Sequence, residues 1–563
     1  MNTSLKRFLL YLIVIFTISF FSFDLNSNSV PDPYQKIISS PEYSIYTKYF
    51  KQIYNYIHRN DLPDWAQMNP EKDGYEGTST LELYDYIKTL IPESKPKTLI
   101  VAVMDTGFDI DHPDLKDNIW VNEAESNGKE GVDDDGNGFV DDVHGWNFLG
   151  DATNLSLEVT RELKRLKKEK VSESDNYYKK VITEYNDKID ETKSILKFSK
   201  ETLKQITDAE KILQKKNYPT DPDKLKDISP TLKDEYKDAA NTIMMLKLLY
   251  GTDKNELLGI KKDYEVKMNV LFDTTSPSTL IGDNPNELDE KNYGNNNIHP
   301  KGELHGTHVT GIIAANKKGI GQAPFVKIMC LRVVPDEGDE RDKDVANGIR
   351  YATDNGASII NLSAGKYFSP NSNYVTEAIK YAESKGVLFV VASGNEGTDI
   401  GIRNNYPPKF YMENGQVKYF TNMLVVGAST WMQKWNQEKD PDNLTNNYDL
   451  SASFSNYSEK FVDLFAPGVE INSTIPGGGY KTESGTSMAA PEATGVAAII
   501  KGFFPDLKAA DLKIVLVNSV RKYDGLKVKV QDGETKILFS SLSRSGGVID
   551  VLRAYKYALE NKN

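Results

Sequence analysis

The sequence predicts a three-layer α/β fold: a doubly wound, mostly parallel sheet with helices on both faces and an inserted α-helical subdomain. Three observations predict it. From residue 305 onward, helical patterns alternate with short apolar runs. Those runs, such as 387–392 and 423–427, are continuously apolar rather than alternating, as strands buried on both faces are. Between 151 and 275 the pattern changes to charged stretches whose apolar residues recur at three and four, which marks long amphipathic helices.

The elements follow in order. Lys6 and Arg7 precede an uncharged, mostly apolar run over 8–23. A basic start and a short apolar stretch indicate a secretory signal, assigned to 1–29, and a secreted or periplasmic (cell-envelope) location. The run is short for a bilayer span of about 20 residues, so no membrane span is expected once the signal is removed. A chain anchored by an uncleaved signal is the alternative. Residues 30–95 form an N-terminal extension or short pro-segment without a clear alternating β-α pattern. A strand over 97–105 ends on Asp105 and opens the core domain, assigned to 96–150 and 276–563. The α-helical insertion, 151–275, has two glycines, no Trp, and prolines at Pro219, Pro222 and Pro230. Its periodic residues include Val159, Leu163, Leu166, Tyr178, Ile182, Tyr185 and Ile189. It reads either as a solvated excursion or as a surface that binds a partner or substrate. A helix at 305–315 then leads to a strand at 326–334, and a helix at 343–355 to a strand at 358–363. A helix at 373–385 leads to the strands 387–392 and 423–427, and helix-forming residues follow Ser487.

Composition narrows the function. A formal net charge of -13 over 563 residues argues against a nucleic-acid partner, which needs clustered Lys and Arg. The single cysteine, Cys330, lies in an apolar strand and reads as a buried thiol, so no disulfide framework exists.

Three distant blocks carry the chemistry: Asp105-Thr-Gly107, His305-Gly-Thr-His308 and Gly485-Thr-Ser487-Met-Ala-Ala-Pro491. They offer an acid at a strand end, a base on a helix and a hydroxyl nucleophile. Serine attacks at neutral pH only when a base takes its proton. Ser487 stands at or beside a helix N-terminus, whose free amides and positive dipole end favour developing negative charge. From residue type alone the base is His305 or His308; a metal pair is disfavoured because the Glu of a His-Glu-x-x-His site is missing. Between base and nucleophile lies Ala392-Ser-Gly-Asn395-Glu-Gly397, another strand end.

The order Asp, His, Ser, with Asn395 between the last two, resembles the subtilisin-like serine proteases. The resemblance covers 96–150 and 276–563. It implies a secreted serine endopeptidase that hydrolyses peptide bonds of protein or peptide substrates through an acyl-enzyme. It further implies Ser487 as nucleophile, His305 as base, Asp105 as the group fixing the imidazole, and Asn395 as oxyanion donor. Ser363, Ala364 and Gly365 resemble the extended edge that pairs a substrate main chain. The competing readings are a non-enzymatic envelope protein that keeps the fold, and the related sedolisin arrangement, which has Glu where His305 stands.

One acidic stretch points to a structural Ca2+. Asp133, Asp135, Asn137, the Phe139 carbonyl and Asp141 place oxygens at alternate positions with Gly138 at the sixth, as hard cations require. His144 occupies the twelfth position, so the bidentate ligand is expected elsewhere, with Asp142 the candidate.

Overall fold

The computed structural model describes residues 64–250, 254–275, 277–285, 287–299, 304–401, 405–431, 449–530 and 535–561. The expected signal at 1–29, and 30–63 of the extension, lie outside the described residues.

The apolar runs form one sheet. Its strands are β1 (Ile100–Asp105), β2 (Gly145–Asn147), β3 (Lys327–Arg332), β4 (Ile359–Leu362), β5 (Leu388–Ala392), β6 (Met423–Ser429), β7 (Leu464–Pro467), β8 (Arg521–Lys522) and β9 (Gly547–Val548). They lie in the order β8-β9-β7-β6-β5-β4-β1-β3-β2. Every neighbouring pair is parallel except β8 with β9. The register aligns Asp105 with Arg332 on one side and Met104 with Leu362 on the other. After β1 the chain lays β2 and β3 on one side and then crosses to β4, β5, β6 and β7 on the other, so β1 marks the place where the strand order switches sides. Ligands of doubly wound sheets bind beyond the carboxyl ends of strands at such a point, and Asp105 ends β1 there.

Helices cover both faces, as the continuous burial of the strands requires. Ala102, Met104, Ile360 and Phe389 pack into one core with Val345 and Ile349 of helix Asp342–Asp354 and Ala378 and Ile379 of helix Ser372–Ser384. The helices Leu304–Ala314 and Thr486–Phe503 pack against each other, and the second lies along β4, β5, β6 and β7. Cys330 is buried in β3 as a free thiol, and burial pushes its pKa up.

Helices also fill the charged stretch: Glu158–Lys168, Asn176–Gln214, Pro222–Ile228, Asp234–Tyr250 and Lys254–Val270. Pro222 opens its helix in the first turn, where its missing N–H costs nothing, and Asp221 caps it by accepting from Asp223 N and Lys224 N, both at 3.0 Å. Among the described residues, 194–264 form one compact unit, with Leu213, Leu225, Ala240 and Ile243 in its core, and the remainder form another. Within the larger unit, Val159, Leu163, Leu166, Tyr178 and Val181 pack with Phe368. The two ends of the stretch meet where Leu157 N and Thr160 Oγ1 donate to Leu271 O at 3.0 and 2.8 Å.

The described part of the N-terminal extension is bound to the core. Trp65 is buried and its Nε1 donates to Val469 O at 3.2 Å, while Val551 N donates to Thr78 O at 2.9 Å. Gly77 fits because a Cβ there would stand 2.4 Å from Trp65 O. Thr78 and Thr80 donate to Gln322, whose Nε2 donates to the buried Glu492 carboxylate. Burial pushes the pKa of Glu492 up to about 8.

Candidate active site

Asp105 is buried, and its Oδ1 meets His305 Nδ1 at 2.7 Å. The backbone sets this approach. Gly306 follows the histidine on helix Leu304–Ala314, and a Cβ there would lie 2.2 Å from Gly107 O. Only glycine lets the helix come that close to the end of β1. Burial opposes charging of the His305 imidazole, but the Asp105 charge and hydrogen bond outweigh it, with Glu483 adding to them, and raise its pKa.

His308 has a different setting. It is fully buried, its Nε2 lies 2.9 Å from Lys481 O, and desolvation pushes its pKa down to about 4. The two histidines therefore do not form a metal pair; one faces an acid and the other a backbone carbonyl.

Ser487 is the second residue of helix Thr486–Phe503, whose N-cap is Gly485. Its N–H is in the first turn, where amides lack intrahelical acceptors. Ser487 Oγ donates to Ser363 O at 3.1 Å, and Ser363 Oγ donates back to Ser487 O at 2.9 Å. Among the described residues no hydrogen bond joins Ser487 Oγ to His305; in substrate-free sites such bonds are often long and tighten in the complex. The helix start thus lies against the residue that follows β4.

Asn395, three residues beyond β5, accepts at Oδ1 from Thr486 N at 2.8 Å and Thr486 Oγ1 at 2.9 Å. With its oxygen held, its Nδ2 lies near Gly485, 3.7 Å from where a Cβ would stand. A residue the sequence reading missed organises this loop. Asn456 Oδ1 accepts from Glu396 N at 3.2 Å and Thr398 N at 2.9 Å, while its Nδ2 donates to Ser393 O at 3.0 Å. A lone Asn in an irregular segment carries no local signal of that role.

Ser363, Ala364 and Gly365 continue β4 beyond its last ladder pair. Lys366 then pairs with Tyr406 in an isolated antiparallel bridge, with N···O distances of 3.2 and 2.9 Å. Asn405 lies beside Gly365 and donates to Ser393 O at 3.2 Å. A cavity of about 620 Å³ opens there, with Ala392, Asn405, Tyr406 and Phe410 in its wall.

The acidic loop differs in detail from the expected ligand set. Asp135 groups with Glu125 and Asp142, each offering a carboxylate oxygen within 4.8 Å of the others. Asp133 instead accepts from Gly136 N and Gly138 N, both at 2.8 Å, and Asp141 accepts from Gly131 N at 2.9 Å. Asn137 Nδ2 donates to Asp135 and Asp142 at 3.1 and 3.0 Å, and the Phe139 ring packs on Trp146 and Tyr351. Glu125 comes from helix Glu123–Ser126, and its distance in sequence from the alternating Asp pattern hid it. Burial, opposed by hydrogen bonds from Tyr351, Asn137 and Asn122 and aided by the Asp135 charge, pushes the pKa of Asp142 up to about 6.

The pattern of the subtilase family matches residues 96–536. The chain belongs to the subtilase family. Within it, the chain is 38% identical over 200 residues to a thermophilic serine proteinase of Bacillus sp. (strain AK1), covering 35% of this chain and 42% of that protein. It is 25% identical over 494 residues to subtilisin-like protease 1 of Plasmodium berghei, covering 85% of this chain and 53% of that one. Thermitase of Thermoactinomyces vulgaris is 34% identical over 235 residues, or 41% of this subtilase and 72% of thermitase. The matches span about half the length of the first two relatives.

Proposed function

We propose that this subtilase is a secreted serine endopeptidase that cleaves protein or peptide substrates through an acyl-enzyme. The Asp105–His305 contact of 2.7 Å carries the reading. It fixes the proton on Nδ1 and leaves Nε2 as the base, which takes the Ser487 proton as Oγ attacks the scissile carbonyl. Asp105 holds the ring in place and stabilises the imidazolium. The carbonyl oxygen becomes an oxyanion held by the Ser487 N–H and Asn395 Nδ2, two donors already oriented before substrate arrives. His305 then gives its proton to the leaving amine, and water hydrolyses the acyl-enzyme by the same steps. The substrate main chain adds as a strand along Ser363, Ala364 and Gly365.

The domain division that accompanies this function is a catalytic domain over 96–150 and 276–563 with 151–275 inserted. A structural Ca2+ fits the same reading. Glu125, Asp135 and Asp142 supply hard oxygen donors at one point. The signal at 1–29 would export the chain. Among the described residues no helix is long and apolar enough to cross a membrane.

The test is stopped-flow cleavage of an ester substrate by the purified protein and its Ser487→Ala variant. A burst of product stoichiometric with enzyme, absent in the variant, supports the acyl-enzyme; an unchanged burst in the variant would overturn it.

A further inference from the structure

Asn395 stands on irregular backbone beyond β5, and a loop does not by itself hold a side chain to a fraction of an ångström. Thr486 fixes the oxygen of the Asn395 amide. The backbone on either side of Asn395 is fixed from elsewhere, by Asn456, a fully buried residue in the segment between β6 and β7.

Asn456 binds both flanks. On one side its N–H donates to Gly394 O at 2.9 Å, its Nδ2 donates to Ser393 O at 3.0 Å, and its carbonyl accepts from Ser393 Oγ at 3.0 Å. On the other, its Oδ1 accepts from Glu396 N at 3.2 Å, Thr398 N at 2.9 Å and Thr398 Oγ1 at 3.2 Å, while Nδ2 donates to Glu396 Oε2 at 2.7 Å. Gly394 permits this approach. Its φ is +100°, and a Cβ there would stand 2.3 Å from Asn456 Nδ2. A short carboxamide suits the place because it offers an acceptor and a donor from one planar group. An Asp at this position would keep the acceptor but turn a charge towards Ser393 O and the Glu396 carboxylate.

We propose that Asn456 is a positioning residue for the reaction, which acts by holding Asn395 where its Nδ2 meets the developing oxyanion. The inference rests on the proposed protease reading and deepens it. An oxyanion donor contributes where the carbonyl oxygen arrives as it gains charge, and a misplacement of about 1 Å can cost about a hundredfold in rate. Loss of Asn456 therefore weakens the transition state more than the bound substrate, so turnover falls while KM stays. A residue that only supported the fold would lower the melting temperature and the amount of active protein, but not turnover per active site.

The experiment is a double-mutant cycle on the full chain. A peptide amide is cleaved by the wild type, Asn456→Ala, Asn395→Ala and the double variant, with kcat taken per site titrated by a fluorophosphonate. Asn456→Ala should lower kcat about tenfold with KM changed by less than about twofold. In the Asn395→Ala background the same substitution should change kcat by less than about twofold, because the group it positions is gone. Asn456→Asp, of nearly the same volume, is measured alongside with the same expectation, so that a cavity at the buried site does not decide the result. An equal fall in both backgrounds, an unchanged kcat, or a rise in KM alone would overturn the positioning role and leave the protease reading standing. A wild type that neither labels nor cleaves would overturn both.

Discussion

His305 and His308 stand one helical turn apart, yet their partners divide them. On the proposed assignment His305→Ala removes nearly all turnover, because the base and Ser487 act as one unit and their losses do not add. His308→Ala leaves turnover measurable and lowers the melting temperature, since it empties a fully buried site and frees the Lys481 carbonyl. Assays of kcat and Tm on both variants decide the matter; an active His305→Ala would contradict it. The raised pKa of His305 fixes a pH profile. Only the neutral imidazole is a base, so activity is lost as pH falls through that raised value, above the usual value of about 6.5. Asp105→Asn should move this acid limb to lower pH while dropping kcat by about 10⁴. Asn395→Ala should lower kcat by about 10²–10³ with little change in KM, a magnitude carried over from the subtilisin case. At this scale the sequence singled out the residues that meet in the Asp105–His305 contact and the Asn395–Thr486 hydrogen bond, because each sits in a short block at a strand or helix end. It did not single out Asn456 or Glu125, because each acts across a long sequence separation and neither has a local pattern.

The elements that hold these residues depend on close backbone approach. Gly306→Ala places a methyl group against Gly107 O and should displace His305 from Asp105. We expect kcat to fall at least tenfold while the helix itself, in which Ala is favoured over Gly, is retained. Far-UV circular dichroism together with turnover checks this, and full activity would contradict it. The parallel strands were readable from continuous apolar runs, and the helices within 151–275 from their period of three to four. Expected and observed ends agree closely where Gly follows a helix, as for 343–355 against Asp342–Asp354, after which Gly356 takes a positive φ. The short pieces escaped notice: β2, β8 and β9 are two or three residues long, and the hairpin Phe410–Glu413 with Gln416–Tyr419 is largely exposed. Such segments are too short to show a period, and their pairing is imposed by the finished sheet.

Across the whole molecule, two buried acidic sites make stability depend on conditions. Glu492 has a folded pKa raised to about 8, so its favourable contribution is complete below the unfolded value, near 4.3, and is lost as pH rises through 8. Glu492→Gln keeps a group able to bond Gln322 and should flatten the fall in melting temperature on the alkaline side; an unchanged profile would contradict this. Asp142 behaves likewise at lower pH, with the metal-free protein losing stability as pH rises through about 6. Calcium should reverse that loss and raise the melting temperature by mass action, and Asp135→Asn with Glu125→Gln should abolish the response. The sequence singled out Asp135 and Asp142 but neither Glu125, which a separate helix brings to them, nor Glu492, whose partner Gln322 is distant in sequence. The central claim, that Asp105, His305, Asn395 and Ser487 form one hydrolytic centre, is tested most directly by a fluorophosphonate probe. After reaction with the folded protein, peptide mass spectrometry should find the phosphonyl group on Ser487, with labelling abolished in Ser487→Ala and nearly so in His305→Ala. Label on another residue, or equal labelling of all three proteins, would contradict it.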